Sequence, residues 1–419
     1  MLVVHFLVVS SIIPTLPDDT SAHMSSYLDS ESLVGYLASS KTRRSLRDRV
    51  QKFDAGYSAN KQSGDFSFLS EYPNLEQVYL SRPGVANVSF LPSLTRLRVV
   101  DLTGYIGDVN MCTVLPSAKT LEVVRLRTIA PESRVCLPNF RKLKKLYVDR
   151  LDDLSILQGL ESLEQLEIRC LRTRSLEPLA MLKRLKILRI MDAQAFAFSL
   201  LGLDALHATL EELDIYAAKL RTVAPIGNLS GLRRLNLSSG VVISDLVSEL
   251  SRLTQLEHLE IRPFGLASLS FLLNMGETLR TLSVRCTDVS DLRDFRNLQK
   301  LESLEIHQAY SIRDISGITL LSNLKDLTLD SMNSFSWQPL PLLRKLKTLR
   351  LRFCEIRTVE EIAKIVSLES LALEIIPNLT DVSLLSSLTN LRKLHLARTG
   401  VTDVSAFLAR SSLDFTHEK

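Results

Sequence analysis

From residue 75 onward the chain repeats one spacing of apolar positions, L-x-x-L-x-L. The first leucines of the fifteen copies are Leu75, Leu97, Leu121, Leu143, Leu163, Leu185, Leu210, Leu232, Leu256, Leu279, Leu301, Leu324, Leu346, Leu368 and Leu391. The mean step is about 22.6 residues, within the range at which stacked supersecondary units recur. Each copy offers apolar side chains at its positions 1, 4 and 6, as in Leu232, Leu235 and Leu237. Positions 4 and 6 alternate with polar residues, the period of a short β-strand. One copy cannot bury its own apolar face, but stacked copies can. The pattern therefore predicts fifteen parallel strands, about 4.8 Å apart, along an arc of roughly 70 Å.

The rest of each copy must return along the other side. Segments such as "VSDLRDFRNLQKL" carry a second apolar set, here Leu292, Phe295 and Leu298. The returns are too short for long helices. An aspartate often precedes the first apolar residue of the return: Asp153, Asp245, Asp291, Asp314, Asp381 and Asp403. A short acceptor at the start of a tight turn satisfies free backbone N–H groups, so these are expected to cap turns.

Position 2 carries a second pattern: Glu76, Arg98, Glu122, Lys144, Glu164, Lys186, Glu211, Arg233, Glu257, Arg280, Glu302, Lys325, Lys347, Glu369 and Arg392. Thirteen of the fourteen neighbouring pairs are opposite in sign. Equivalent positions on adjacent parallel strands are neighbours, so this predicts a charge ladder across the sheet. Each exposed pair contributes about 0.2–1 kcal/mol, and like charges in register cost a similar amount. The one lapse is Lys325 beside Lys347.

On these residues the chain resembles the 22-residue class of leucine-rich repeats, as in internalin-type bacterial surface proteins and a regulatory subunit of protein phosphatase 1. The resemblance covers residues 75–415. It implies an α/β repeat solenoid: a curved array with a parallel β-sheet on the concave face and short turns or 3-10 segments on the convex face. Ligands of such arrays dock on the concave face, at positions 3, 5, 7 and 8. The chain departs from the class at position 9. There the class usually carries an asparagine that bonds the loop backbone, and this chain has residues such as Leu151, Ala193, Ala309, Met332 and Ile376.

Composition narrows the function. Net charge is +4, too slight to imply nucleic acid, and glycine is scarce at 15 in 419 residues. None of the phosphate-loop, dinucleotide, zinc-protease or serine-hydrolase motifs occurs. No enzyme, cofactor or metal site is expected. His258, His307 and His395 share no repeat and have no ligand set at metal spacing. The five cysteines, Cys112, Cys136, Cys170, Cys286 and Cys354, show no C-x-x-C spacing and flank nothing. Cys170 and Cys286 are expected to be semi-buried small side chains.

The expected organisation has four parts. Residues 1–23 are an apolar leader or an extension, and residues 24–74 a helical N-terminal cap. Residues 75–412 hold the fifteen repeats, and residues 413–419 begin a truncated sixteenth at Leu413. The cap helix is expected over residues 30–53, with Phe53 in the core, followed by "FSFLSEYPNL" as the back half of a repeat. "MLVVHFLVVSSIIP" has the length of a signal peptide, with Thr20 and Ala22 at cleavage positions, but no basic residue precedes it. Met24 offers a second start. The expected location is cytoplasmic, with secretion or the cell surface as the alternative if residues 1–22 are a signal peptide. No stretch is long enough for an integral membrane segment in the mature chain.

The strand face mixes both signs of charge, which suits a protein partner better than a phosphate backbone. Three patches stand out. The first is basic with an aromatic: Arg125, Arg127, Lys144, Lys145, Tyr147 and Arg150. The second is acidic: Glu211, Glu212, Asp214 and Tyr216. The third surrounds the ladder lapse: Lys325, Lys347, Arg350, Arg352 and Phe353. Arginine and aromatic residues dominate interface energetics. The function expected is a non-enzymatic scaffold that binds a protein partner on the concave face. The alternatives are a secreted or surface adhesin, or the recognition part of a longer multidomain protein.

Overall fold

The computed structural model describes residues 51–54, 66–81, 83–115, 119–194, 198–220, 222–263, 265–286, 288–332, 336–408 and 410–418. The chain divides into two compact units, residues 1–195 and residues 196–419. The first unit holds β1 (Lys52–Asp54), β2 (Gln77–Tyr79), β3 (Val99–Leu102), β4 (Val123–Leu126), β5 (Lys145–Leu151), β6 (Gln165–Leu171) and β7 (Ile187–Ile190). Each pairs in parallel with the next. The second unit holds β8 (Glu212–Tyr216), β9 (Arg234–Ser238), β10 (His258–Arg262), β11 (Thr281–Arg285), β12 (Ser303–His307), β13 (Asp326–Asp330), β14 (Thr348–Arg352), β15 (Ser370–Ile376), β16 (Lys393–Thr399) and β17 (Asp414–Glu418). These too pair in parallel in chain order. Strands β2 to β16 are the fifteen that the leucine spacing predicts.

The register follows the repeat. Leu235 faces Leu259, and Leu304 faces Leu327. These inward leucines are buried, and so are those at position 1. Within each unit the position-2 carbonyls from Glu76 to Glu164 and from Glu211 to Glu369 accept two N–H groups from the next repeat. The Arg233 carbonyl takes Glu257 at 2.8 Å and His258 at 3.0 Å. That double bond fixes the register just where the charge ladder begins.

The returns are 3-10 turns such as Arg293–Asn297, Ser316–Leu320 and Ser383–Ser387, whose middle residues Phe295, Ile318 and Leu385 fill the back of the core. The longest α-helix among the described residues is Leu246–Leu250. Five of the six aspartates cap their own turn. Asp153, Asp291, Asp314, Asp381 and Asp403 accept the N–H of the residue two further on, at 2.8–3.1 Å. Asp245 instead reaches back one repeat to the Val223 N–H at 3.0 Å.

Position 9 works by packing. Leu151, Leu171, Ala193, Ala309, Met332, Cys354 and Ile376 are all buried there. The polar ladder sits elsewhere, on the residue before position 1. Thr120 and Ser367 donate to the Leu97 and Leu346 carbonyls at 2.6 and 2.7 Å. Asn323 and Asn390 donate to the Gln299 and Val366 carbonyls at 2.7 and 2.9 Å. In the second unit, position 8 adopts a left-handed backbone in five successive repeats: Gln308, Ser331, Phe353, Ile375 and Arg398, with φ of 50–60°. None is glycine, and for Phe353 and β-branched Ile375 this conformation is costly.

The leader, and the cap helix up to Val50, lie outside the described residues. Two expectations change at the ends of the array. Residues Lys52–Asp54 are a strand rather than a helix end, and Phe53 packs edge-on against Phe66 and Phe68 at 5.8 and 5.9 Å. At the other end, Leu413 keeps the hydrogen bond of a position-1 leucine, to the Arg410 carbonyl. The strand after it is one residue short, because Asp414 faces Lys393. Phe415 and His417 therefore take the inward places, with Phe415 against Phe407 at 5.8 Å.

The cysteines also differ from expectation. Cys112 and Cys136 form a disulfide, with Cα atoms 5.5 Å apart and a sequence separation of 24. They occupy the same place in successive returns. Buried Ser133 ties the same two turns together, accepting from the Met111 N–H at 3.0 Å and donating to the Val109 carbonyl at 3.2 Å. Cys286 and Cys354 are buried, and burial pushes both thiols up to about 12. They are inert packing residues.

Candidate partner-binding surface

The outward side chains at positions 2, 3, 5 and 7 form the strand face of each unit. Along position 2 the ladder is realised as ion pairs. In the first unit Arg98 reaches Glu76 at 3.6 Å and Glu122 at 3.0 Å, and Lys144 reaches Glu164 at 3.7 Å. In the second, Arg233 pairs with Glu257 at 2.6 Å and Arg280 with Glu302 at 3.1 Å. These charges satisfy one another and offer little to a ligand.

The lapse in the ladder resolves itself. Lys325 turns back to Glu302 at 2.6 Å, and Lys347 turns forward to Glu369 at 2.9 Å. Each lysine holds its partner's carboxyl below the usual range, first through the hydrogen bond and then through its charge. Arg350 and Arg352 share Glu374 at 3.2 and 3.8 Å. The Arg352 guanidinium also lies 5.0 Å from the centre of the exposed Phe353 ring. All four cations of this patch are thus held within the molecule.

The acidic patch is similar. Tyr216 is exposed at the end of β8, but Glu212 is engaged by Arg234 at 3.8 Å, and Glu211 and Asp214 have partners of their own.

The first patch is different. Arg125 on β4 faces Tyr147 on β5, and its guanidinium stacks 4.3 Å from the ring centre. The Arg150 N–H donates to the Arg127 carbonyl at 2.8 Å, which sets the two side chains next to each other at the strand ends. Arg127, Arg150, Arg169 and Lys145 are exposed. None of them is ion-paired among the described residues. The nearby carboxylates are mostly taken. Glu167 is held by Arg189 at 3.5 Å, and buried Asp101 accepts the Thr103 N–H and hydroxyl at 3.0 and 2.7 Å. Beside Tyr147 is an open recess of about 290 Å³, lined by Leu126, Val148, Asp149, Arg169 and Met191 among others.

One polar cluster escaped the sequence reading. On β11, β12 and β13, Ser283 donates to Glu305 at 3.2 Å, and the two ring nitrogens of His307 lie 3.3 Å from Glu305 and 3.7 Å from Asp330. The hydrogen bond from His307 holds the Glu305 carboxyl below its usual value. All four residues stand at positions 5 and 7 of adjacent repeats, which was the available signal. Among the described residues no group of three or more His, Cys, Asp or Glu is arranged to hold a metal.

No family model and no curated protein matches the sequence. The fold does match solved structures. A leucine-rich repeat protein of Leptospira interrogans superposes with TM-score 0.60 at 19% identity, over 86% of this chain and 93% of that one. The chain has the leucine-rich repeat fold. An internalin of Listeria monocytogenes aligns over 93% of this chain and 94% of its own at 20% identity, with TM-score 0.42. The ectodomain of a plant receptor kinase from Arabidopsis thaliana, solved in complex with Casparian strip integrity factor 2, aligns over 88% of this chain and 53% of its own, at 17% identity and TM-score 0.48. Within the leucine-rich repeat frame, the ten residues singled out from the sequence all lie on strands or at strand ends facing outward. Arg125, Arg127, Tyr147 and Arg150 are in the first unit and the other six in the second. No helix among the described residues is long and apolar enough to cross a membrane.

Proposed function

We propose that this leucine-rich repeat chain is a non-enzymatic scaffold that binds a protein partner on its outward strand face, centred on Arg125, Arg127, Tyr147 and Arg150. The observation that carries this reading is the contrast between patches. Lys325, Lys347, Arg350 and Arg352 at the ladder lapse are neutralised by their neighbours, whereas Arg127, Arg150, Arg169 and Lys145 are exposed and unpaired among the described residues, on the repeats that carry the Tyr147 ring and the recess. A charge already paired within the molecule must give up that partner to bind another, and an unpaired one need not. The test is amide hydrogen exchange on the chain with and without its co-purified partner. Protection concentrated in residues 123–127, 145–151 and 165–171 supports the reading. Protection confined to the 3-10 returns overturns it.

A second reading, a secreted or surface recognition protein, is favoured by the Cys112–Cys136 disulfide. Disulfides persist in oxidising compartments and are rare in the cytosol. Mass spectrometry of the native protein tests this reading. An oxidised Cys112–Cys136 pair with residues 1–22 removed supports export. Reduced cysteines and a start at Met1 or Met24 support the cytoplasm.

A further inference from the structure

We infer that the partner presents an extended acidic segment, and that one apolar side chain of that segment enters the recess beside Tyr147. This rests on the strand-face reading above and adds the chemistry of what docks there.

The cations argue for acidity. Arg169 lines the recess, and Arg127, Arg150 and Lys145 stand on the same three repeats, all exposed and without ion pairs among the described residues. Asp149 is the carboxylate there with no partner among the described residues, because Glu167 is engaged by Arg189. The local balance is positive, although the whole chain carries only +4. Arg125 is committed to the Tyr147 face, which stiffens the ring as one wall.

The recess argues for an apolar anchor. Tyr147 and Met191 supply its accessible apolar walls, with Leu126 and Val148 buried behind them, and Met191 is 44% exposed. Methionine adapts to varied apolar shapes. The volume, about 290 Å³, suits one side chain and not a folded element.

The geometry argues for an extended segment. Arg127, Arg150 and Arg169 sit on three successive repeats, so they span about 10 Å, which an extended chain covers in about three residues. Carboxylates on either side of one anchor residue would then meet the arginines bidentately. A nucleic acid fits less well. Its phosphates form a continuous anionic track, and among the described residues the four unpaired cations named above are confined to three neighbouring repeats.

Random peptides displayed on phage and selected on the full chain test the inference. The expected sequences carry Asp or Glu on both sides of Leu, Ile, Met or Phe. A synthetic peptide of that kind should lose about tenfold or more in affinity on Arg127→Glu/Arg150→Glu. It should weaken as salt rises from about 50 to about 200 mM, and bind Lys347→Glu unchanged. Met191→Ala, which removes the anchor wall without touching charge, should weaken it severalfold with an unaltered circular dichroism spectrum. Selection without acidic bias, or affinity untouched by the double arginine change, overturns the inference. So does displacement of the peptide by a single-stranded oligothymidylate. Non-acidic peptides that still protect residues 145–151 overturn only this inference and leave the strand-face reading standing. Peptides that protect only the returns overturn both.

Discussion

The charge ladder makes a quantitative prediction, because two substitutions of equal charge change should have unequal effects. Glu257 lies between Arg233 and Arg280 on adjacent strands, and it pairs with Arg233 at 2.6 Å. Glu257→Lys removes that pair and sets three cations side by side. Arg233 is 62% and Glu257 34% exposed at the side chain, so solvent screens both, and each lost or reversed contact is worth a fraction of a full ion pair. Two contacts change sign, which gives a destabilisation of about 0.5–2 kcal/mol. Lys347→Glu also changes the charge by two. It removes the Lys347–Glu369 pair and places two glutamates together, but it offers Lys325 a new partner. The lapse moves by one strand without growing, so stability should hardly change. Urea unfolding at low salt measures both midpoints. The gap between the two variants should shrink towards 1 M salt, where the screening length is about 3 Å. Equal shifts for the two variants, or a gap indifferent to salt, would refute the ladder as a source of register.

Other outcomes follow from the same structure. Arg398→Gly should stabilise by about 0.5–1 kcal/mol, since it relieves a left-handed residue whose side chain is exposed; destabilisation in a thermal melt would count against a strained position 8. Cys112→Ser should cost about 3–4 kcal/mol, the scale for a crosslink closing a loop of this length, and reductant should lower the melting point of the unaltered chain but not of the variant. The carboxyls of Asp381 and Asp403 are held below the usual aspartate range by the backbone N–H groups of Ser383 and Ser405. Their stabilisation is present above the unfolded value near 3.9 and is lost as pH falls through the lower folded value. Asp381→Asn/Asp403→Asn should therefore flatten the acid limb of stability against pH. Arg350→Ala should affect partner binding less than Arg150→Ala, because Arg350 is already paired with Glu374, and titration calorimetry with the partner compares them.

The fifteen strands and the ladder were legible because both depend on what recurs at a fixed step. Inward leucines must stack, and position-2 side chains must then be neighbours. What was not legible depends on single departures from the step. Leu413 keeps the period, but the strand after it starts one residue early, so Phe415 takes the place expected one residue later. The Cys112–Cys136 pair was hidden from a search for close cysteines, because its partners are one repeat apart in sequence and adjacent only once the returns stack. The left-handed row at position 8 carries no glycine or asparagine to announce it. In the candidate site, the basic residues at the ladder lapse looked free because Glu374 stands a repeat away. The patch around Tyr147 was visible as composition, but its unpaired state was visible only in three dimensions.

The central claim is that partners dock on the strand face around Tyr147 and not on the returns. Site-specific photo-crosslinking tests it most directly, with benzoylphenylalanine placed at Arg127 in one protein and at Val135 in another. Val135 is 85% exposed on a return of the same unit, so both probes are accessible. The account predicts a discrete partner adduct from position 127 and none from position 135. An adduct from position 135, with position 127 silent, would contradict it.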